Sequence, residues 1–208
     1  MKNILLISLI TVLFGGCNSN VNKTAVNSRS KIAPQQAETN IDSLRKWVHQ
    51  NLETQSIEVE GDTLKLMSAD FYFYYPFGEY GSIDSIQSKY PRLKLQTVID
   101  TSQGVSLDLY KMTFNQNFAK FIKNSDTKKI EIVYAKILDS NIVLLRGVRV
   151  GLRKDVFFSK LFNKPVHLNK INNVKIISAL EGINHNYHFN LDTISSIVMD
   201  TDYLFYKF

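Results

Sequence analysis

The first regular pattern of apolar residues lies between residues 39 and 52. Its apolar side chains recur at spacings of three and four residues, namely Ile41, Leu44, Val48 and Leu52. Such spacing places them on one face of an amphipathic helix. Asn40 precedes the pattern, and asparagine readily accepts a hydrogen bond from a free backbone N–H at a helix start. The pattern therefore predicts a helix over residues 39–52, capped by Asn40.

Most of the remaining chain consists of short apolar runs that are typical of β-strands. We expect strands at residues 63–67, 93–99, 106–114, 130–138, 142–150, 173–180, 184–190 and 194–199. Two amphipathic stretches, 82–90 and 153–162, predict short helices, because each is followed by a proline that ends the pattern. Residues 116–124 fit either a helical turn or a further strand.

These elements favour an α+β fold, with short helices packed on an antiparallel sheet in one globular domain over residues 41–208. Strands follow one another closely along the chain, unlike the regular helix–strand alternation of a parallel α/β sheet. The domain also divides into two halves of similar outline, 41–140 and 141–208. In each half a glycine precedes a short helix, a proline and about three strands. Few residues match between the halves, so an internal duplication is a hypothesis.

The N-terminal residues have the pattern of a secretory signal peptide. Lys2 precedes about eleven mainly apolar residues, and Gly15 and Gly16 then lead to Cys17. The apolar run is shorter than the roughly 20 residues that a membrane-spanning helix needs. We therefore expect residues 1–17 to direct export of the protein.

The segment Leu13–Cys17 resembles the lipobox of bacterial lipoproteins, although Phe14 replaces the usual leucine. In that family the cysteine is acylated and becomes the new N-terminus, so the resemblance implies a lipid anchor on Cys17. Residues 18–40 are rich in Asn, Ser, Thr, Lys and Gln, which predicts a flexible tether. Many surface-exposed lipoproteins of the Bacteroidetes group carry an acidic cluster after the cysteine. Its absence here favours a protein of the outer membrane that faces the periplasm.

Composition and charge exclude several classes of function. A single cysteine rules out an internal disulfide framework and a thiolate-cluster metal site. Lys and Arg total 25 against 19 Asp and Glu, a net charge of +6. The basic residues are scattered along the sequence, whereas a nucleic-acid binder concentrates them. We therefore expect no nucleic-acid partner, and a general attraction to anionic lipid or glycan surfaces.

The aromatic segment 71–77 is the first candidate for a recognition surface, with Tyr72, Tyr74 and Phe77 as its proposed contacts. Aromatic side chains stack on sugars or fill a partner's pocket. Packing in the core is the alternative role of this segment. If it forms a strand, alternate residues face one side, so either Tyr72 and Tyr74 or their neighbours face out. A second candidate surface lies on the exposed side of residues 149–154, with three basic side chains: Arg149, Arg153 and Lys154.

The segment Val148–Phe157 resembles the opening of a family of small envelope lipoproteins. In that family a strand, a glycine (Gly151 here) and a short helix precede strands containing Tyr-x-Phe, which Tyr187–Phe189 supplies. The family groups outer-membrane assembly lipoproteins of the SmpA/OmlA type with tandem-repeat β-lactamase inhibitor proteins. Leu152 and Arg153 stand where the family has Met and then Ser or Thr. The resemblance implies a helix-plus-antiparallel-sheet fold and a binding role, and it carries over no catalytic residue.

Four Asp-(Ser/Thr)-apolar tripeptides resemble the acceptor for O-glycosylation in envelope proteins of the Bacteroidetes group. The hydroxyl residues concerned are Ser43, Thr63, Ser85 and Thr193. Helix caps and turns also favour Asp-Ser and Asp-Thr pairs, so each position has a structural explanation as its alternative.

No motif in the sequence indicates catalysis or cofactor binding. A nucleophile elbow, a His-Glu-x-x-His helix, a phosphate loop and a dinucleotide fingerprint are all absent. His185 and His188 lie three residues apart in a predicted strand and so face opposite sides, which is unsuited to chelating one metal. We expect them to be ordinary surface or half-buried histidines. The sequence therefore predicts no catalytic residue, no metal and no cofactor.

The leading hypothesis is a non-enzymatic, lipid-anchored envelope protein that binds another protein or takes part in envelope assembly. One alternative is an envelope hydrolase acting on glycan or peptide, which needs carboxylates or histidines that converge in a pocket. The other is a glycan- or lipid-binding module that uses the aromatic segment. Burial of residues 71–77 would count against that last alternative.

Overall fold

A nine-stranded sheet forms the frame of the protein. The structure, a computed structural model, describes residues 38–100, 107–179 and 182–202. The strands are β1 (Thr54–Glu60), β2 (Thr63–Ser68), β3 (Lys94–Asp100), β4 (Leu107–Phe114), β5 (Asn117–Lys123), β6 (Ile130–Ile137), β7 (Asn173–Ser178), β8 (Asn184–Asn190) and β9 (Thr193–Asp200). They lie side by side in the order β1-β2-β7-β8-β9-β6-β5-β4-β3. Neighbouring strands run antiparallel, except that β2 and β7 run parallel.

Short helices cover one face of this sheet. Within the described ranges they are α1 (Ile41–Trp47), α2 (Ile83–Lys89) and α3 (Lys154–Phe158), with single 3₁₀ turns at Gln50–Leu52, Phe71–Phe73 and Leu145–Gly147. Leu44 of α1, Ile86 of α2 and Phe157 of α3 belong to the same buried apolar cluster as the side chains of the sheet. The arrangement is therefore a helical and loop layer on one side of a single sheet.

Alternation of side chains along the strands gives the sheet one buried and one more open face. In β2, Leu64 and Leu66 are buried, whereas Lys65 between them is partly exposed. In β8, His185 and Tyr187 are buried, and Asn186 between them is partly exposed. Because successive residues of a strand point to opposite faces, the apolar set packs under the helices and the polar set lines the other side.

The expected α+β class is confirmed in part. Helices and strands are both present, but the helices are short and the sheet dominates. The expectation of a wholly antiparallel sheet is wrong at one place, because β2 pairs with β7 in parallel. That pairing places β7, β8 and β9 between β2 and β6, so the two predicted halves, 41–140 and 141–208, share one sheet. The hypothesis of a duplicated unit is not confirmed.

Most strand predictions are confirmed within one or two residues. Residues 116–124, for which a helical turn and a strand were both considered, contain β5. The sequence analysis missed β1, because Ile57 is the only buried residue of this edge strand and its polar neighbours give no apolar alternation.

The strand predicted at residues 142–150 is wrong. The segment forms turns around the Leu145–Gly147 helical turn, where Arg146 (φ 57°) and Gly147 (φ 69°) adopt left-handed backbone conformations that end any extended run. Its apolar side chains still reach the core, since Ile142, Leu144 and Val148 are buried. The apolar spacing therefore indicated correctly which side chains are buried, but the strand inferred from it does not form.

Two helices are shorter in the structure than the sequence pattern predicts. Asn40 caps α1 as expected, its Oδ1 accepting a hydrogen bond from Ser43 N–H at 2.8 Å. Val48 then becomes extended and forms a β-bridge with Phe162, which lies within the helix predicted over 153–162. A tertiary backbone pairing thus ends α1, and the chain beyond α3 continues as turns up to that bridge.

The chain enters the domain earlier than the predicted end of the tether. Thr39 N–H donates to the carbonyl of His167 at 3.0 Å, and the hydroxyl of Thr39 accepts from His167 N–H at 2.9 Å. Glu38 pairs with Lys170 at 3.0 Å. Residues 38 and 39 are therefore part of the folded unit, and the rest of the tether lies outside the described residues.

A fully buried histidine connects the sheet to the aromatic segment. His185 Nε2 lies 2.7 Å from the carbonyl oxygen of Phe73, and its Nδ1 lies 3.0 Å from the hydroxyl of Tyr187. A carbonyl can only accept, so Nε2 carries the proton and Nδ1 accepts from Tyr187. Burial, partly offset by the Phe73 carbonyl, lowers the pKa of His185 to about 4. The expectation of a surface or half-buried histidine is wrong for His185, whereas the expectation that His188 faces the other side is confirmed.

We predict that His185 makes the fold sensitive to mild acid. The unfolded chain binds a proton below pH 6.5, whereas the folded chain does so only near pH 4. Stability contributed by the neutral imidazole is therefore complete above pH 6.5 and falls by about 2 to 3 kcal/mol as the pH drops towards 4. Urea unfolding at pH 7.5 and 4.5 should show that His185→Gln is clearly less stable than wild type at pH 7.5 and loses much of this difference at pH 4.5.

The matched control is His188→Gln, on the opposite face of the same strand. It leaves the buried imidazole in place, so it should keep the wild-type change in stability between the two pH values. Equal free-energy losses for wild type and His185→Gln would contradict the assignment.

Candidate functional site

The aromatic segment lies inside the protein and does not form a recognition surface. Tyr72, Tyr74 and Phe77 are only 7%, 5% and 2% exposed. Asp70 Oδ1 accepts from Tyr72 N–H at 2.9 Å and caps the Phe71–Phe73 turn. In this helical conformation successive side chains do not alternate across a sheet, so they all reach the core, except Phe71 at 53% exposure. The three proposed contact residues are therefore buried in the core, and the strand alternation considered for this segment does not occur.

An ion pair stabilises the aromatic segment at the edge of the core. Arg146 Nη2 lies 2.5 Å from Asp70 Oδ2, and the guanidinium carbon lies 4.9 Å from the centre of the Tyr72 ring. Burial raises the pKa of Tyr72 well above its ordinary value, so its hydroxyl stays neutral. These contacts give Tyr72 a structural role.

The three basic residues predicted as a second surface do not form one patch. Arg149 is exposed. Arg153 is exposed but forms a two-point ion pair with Asp155, at 3.0 Å from Nε and 2.8 Å from Nη2. Lys154 is buried, with 9% of its surface exposed. The prediction of an exposed Lys154 is therefore wrong, and its side chain lines a cleft instead.

The four proposed glycosylation residues lie at the starts of elements. Ser43 and Ser85 lie in α1 and α2, and Thr63 and Thr193 begin β2 and β9. Ser85 is exposed, and its hydroxyl lies 3.1 Å from that of Ser82. The Thr63 hydroxyl donates to Asp62 at 3.3 Å. Glycosylation of these residues stays a prediction, as does lipidation of Cys17, which lies outside the described residues.

Two adjoining clefts flank α3. One, of about 340 Å³, is lined by Arg153, Lys154, Asp155, Phe158, Val166, His167, Leu168, Asn169 and Asp192. The other, of about 450 Å³, is lined by His49, Asp155, Phe158, Ser159, Phe162, Asn163, Lys164, Pro165, Val166 and His167. The ion pair with Arg153 lowers the pKa of Asp155, so this carboxylate is ionised and already has a positively charged partner. Across the described ranges, no three His, Cys, Asp or Glu side chains come together as metal ligands do.

A different surface lies on the open face of the sheet. The sequence analysis did not identify it. Strand register places Lys111 directly opposite Lys120, and Lys120 directly opposite Tyr134. The next row across the sheet places Thr113 opposite Phe118, and Phe118 opposite Lys136. The rings of Phe118 and Tyr134 stack in parallel, with centres 5.2 Å apart and planes inclined by 8°.

We call this surface the lysine–aromatic face, and its residues are Lys94, Lys111, Phe118, Lys120, Tyr134 and Lys136. Lys94 joins it because β3 pairs Lys94 with Thr113 in the same row. Among the described residues of these two rows between β3 and β6, no side chain is acidic; the first carboxylate, Asp200, lies beyond Tyr134 on β9. Asn184 and Asn186 hydrogen-bond that carboxylate at 2.9 and 3.1 Å.

Two lysines on this face lie close enough to affect each other's charge. Partial burial, and then the charge of Lys111, lower the pKa of Lys120. Like charges directly opposite each other on paired strands destabilise a sheet. The other end of the open face differs, because Lys65 opposite Lys175 forms a salt bridge with Glu60. A negatively charged ligand would relieve the repulsion at the lysine–aromatic face.

The signal for this face was present in the sequence at two-residue spacing. Lys111 and Thr113, Phe118 and Lys120, and Tyr134 and Lys136 are each two apart, as residues on one face of a strand must be. What the sequence does not show is the strand order that brings them together. Four of the basic residues that appear scattered along the sequence, Lys94, Lys111, Lys120 and Lys136, therefore lie on one part of the sheet.

Comparisons with known proteins identify no relative of this chain: no protein-family model, no curated protein and no solved structure matches it. No helix within the described parts of the chain is long and apolar enough to cross a membrane.

We predict that Lys111→Gln raises the free energy of unfolding by a few tenths of a kcal/mol at low salt, because it removes the repulsion on Lys120. The gain should shrink in 1 M salt, which screens charges beyond about 3 Å. Urea unfolding at both ionic strengths measures it. Lys175→Gln is the matched control, since its opposite lysine is already paired, and an equal gain there would contradict a local cause.

Proposed function

We propose that this chain is a non-catalytic binding protein of the cell envelope, and that the lysine–aromatic face binds an acidic glycan. The observation that carries the proposal is the position of the stacked Phe118–Tyr134 pair among lysines on an open sheet face. Sugar rings stack on aromatic side chains, and lysines bind carboxylate, sulfate or phosphate groups. Neighbouring strands therefore supply both the aromatic rings and the positive charges that an acidic glycan would contact.

The choice between a glycan and a protein partner rests on the aromatic pair. An acidic protein surface needs the lysines, but it makes no specific use of two half-exposed stacked rings. A single-stranded nucleic acid would use both features, since bases also stack on aromatic side chains. The predicted export signal favours the glycan, because envelope polysaccharides are the abundant polyanions of that compartment.

The anchoring part of the proposal comes from the N-terminal sequence. A lipid on Cys17 and a tether of about twenty residues would hold the domain near the outer membrane, facing the periplasm. A protein fixed in this way meets envelope glycans at high local concentration, so a modest affinity is sufficient. The alternative function for a domain anchored in this way is envelope assembly together with a protein partner.

The hydrolase alternative needs a pocket with titratable side chains, and the clefts beside α3 are the first candidates. Asp155 is their shared carboxylate, and its ion pair with Arg153 keeps it charged and therefore unsuited to donate a proton. His167 lines both clefts, and among the described residues no hydrogen bond orients its ring. These features support a binding role over general acid–base chemistry.

The test measures binding of the purified chain to polygalacturonate, with neutral dextran and single-stranded oligothymidine for comparison. We expect polygalacturonate to bind at low ionic strength and dextran not to bind. Lys111→Gln combined with Lys120→Gln should weaken binding by about a hundredfold, because each of the two lost charge-assisted contacts costs about 1.5 kcal/mol. Phe118→Ala should weaken binding without changing its salt dependence, because it removes stacking and no charge.

The matched control combines Lys65→Gln with Lys175→Gln, which removes the same charge from the other end of the same sheet face. If this double variant weakens binding as strongly as Lys111→Gln with Lys120→Gln, binding depends on net charge alone, and the proposed binding face is wrong. Tighter binding to oligothymidine than to polygalacturonate would indicate that the ligand class is a nucleic acid and not a glycan.

A further inference from the structure

Three buried apolar side chains lie outside the main core. They are Leu109 of β4, Ile122 of β5 and Val133 of β6, with exposures of 0%, 7% and 0%. The apolar cluster that packs under the helices includes none of the three. Leu109 pairs directly with Ile122, and Val133 is the extra residue at a bulge in the next strand. We call these three residues the outer apolar patch.

The outer apolar patch faces away from the helices. Side chains two residues apart on a strand share a face, so Leu109 points to the same side as Lys111, and Ile122 to the same side as Lys120. Phe121, which lies between Lys120 and Ile122, belongs to the main core instead. The patch is therefore on the open face of the sheet, directly beside the lysine–aromatic face.

The patch requires a cover on its outer side, because exposure changes abruptly along the same strands. Lys111 and Lys120 are partly exposed, whereas Leu109 and Ile122, the next residues on that face, are buried. Glu131, opposite Ile122, is also fully buried. A fully buried side chain touches about six or more other residues, which neighbours within one sheet cannot supply alone. Another part of the chain or a partner must therefore pack over the patch.

We propose that residues 203–208, Tyr-Leu-Phe-Tyr-Lys-Phe, pack across the outer apolar patch. Thr201, two residues before them, donates its hydroxyl to the carbonyl of Val133 at 3.0 Å. The segment therefore begins beside the patch. Six extended residues span about 20 Å, and two strand spacings, from β6 to β4, measure roughly 10 Å. Five of the six side chains are large and apolar or aromatic, so they suit an apolar surface.

The other stretches outside the described ranges suit the patch less well. Residues 101–106 contain one apolar side chain, Val105, and residues 180–181 are too few to cover three strands. Residues 1–17 are the expected signal peptide, which export removes, and residues 18–37 are mostly polar. The proposal does not depend on the glycan proposed for the lysine–aromatic face. Packed in this way, residues 203–208 would border that face and give it a wall on one side.

The experiment places a reporter thiol under the proposed cover in the full chain. Cys17→Ser removes the only native thiol, and Ile122→Cys then supplies a single one. Its rate of reaction with a nitrobenzoate disulfide reagent measures exposure. Leu204→Ser combined with Phe205→Ser weakens the apolar contacts of the segment, so the thiol should react about tenfold faster or more.

The matched control is Leu5→Ser combined with Leu6→Ser, which makes the same kind of change in the apolar N-terminal segment. It should leave the reaction rate unchanged. Ala135→Cys, in the main core, reports on folding and should stay unreactive when Leu204 and Phe205 are replaced. An unchanged rate in the Leu204 and Phe205 variant would overturn the proposal, as would an equal acceleration in the N-terminal control.

Disulfide formation decides the question if the serine variants lose their fold. Ile122→Cys is combined in turn with Tyr203→Cys, Leu204→Cys, Phe205→Cys and Tyr206→Cys in the Cys17→Ser chain. Mild oxidation should link at least one of these pairs within a single chain, because a disulfide needs Cα atoms within about 7 Å. Lys175→Cys replaces Ile122→Cys in the control, at the other end of the same face, and should form no link. If no pair links, or if Lys175→Cys links as readily, residues 203–208 do not cover the patch.

Discussion

The parallel pairing of β2 with β7 is the contact on which the continuity of the sheet depends. It joins residues 63–68 to residues 173–178, about 110 positions apart in sequence, and leaves the β1–β2 hairpin attached to β7–β9. Without it, one continuous apolar face could not extend from β1 to β3. Every helix then packs on that face, and the opposite face keeps the polar half of each alternating strand. A long-range pairing of this kind costs loop-closure entropy, which the buried side chains of both strands must offset.

The open face follows from the same constraint, because a strand with one set of side chains in the core must present the other set outwards. Near β1 the outward set carries opposite charges that pair, as Lys65 does with Glu60. Between β3 and β6 the outward lysines meet other lysines and a stacked aromatic pair. The two regions therefore differ in their electrostatics: the first contains a salt bridge between opposite charges, whereas in the second the charge of Lys111 lowers the pKa of Lys120.

Sequence reasoning recovered the local elements well, and it failed where tertiary contacts override local pattern. Period-two alternation found β7, β8 and β9, because each has one fully buried side. It missed β1, whose edge position buries Ile57 and little else. The apolar run at 142–150 was assigned to a strand because burial and extension look alike in sequence, and the left-handed Arg146 gives no compositional signal. The aromatic segment was misjudged for a related reason: alternation applies to strands, and a helical turn can bury consecutive rings. The lysine–aromatic face depends on strand order, which no local pattern encodes.

The lysine–aromatic face also has an energetic cost for the fold. Lys111 and Lys120 are half-buried and lie directly opposite each other, and the pKa of Lys120 is lowered by partial burial and then by the charge of Lys111. Removing one of these charges would stabilise the isolated domain, so folding alone does not explain why both are present. A ligand that binds only the folded state would return the stability that this repulsion costs the free protein.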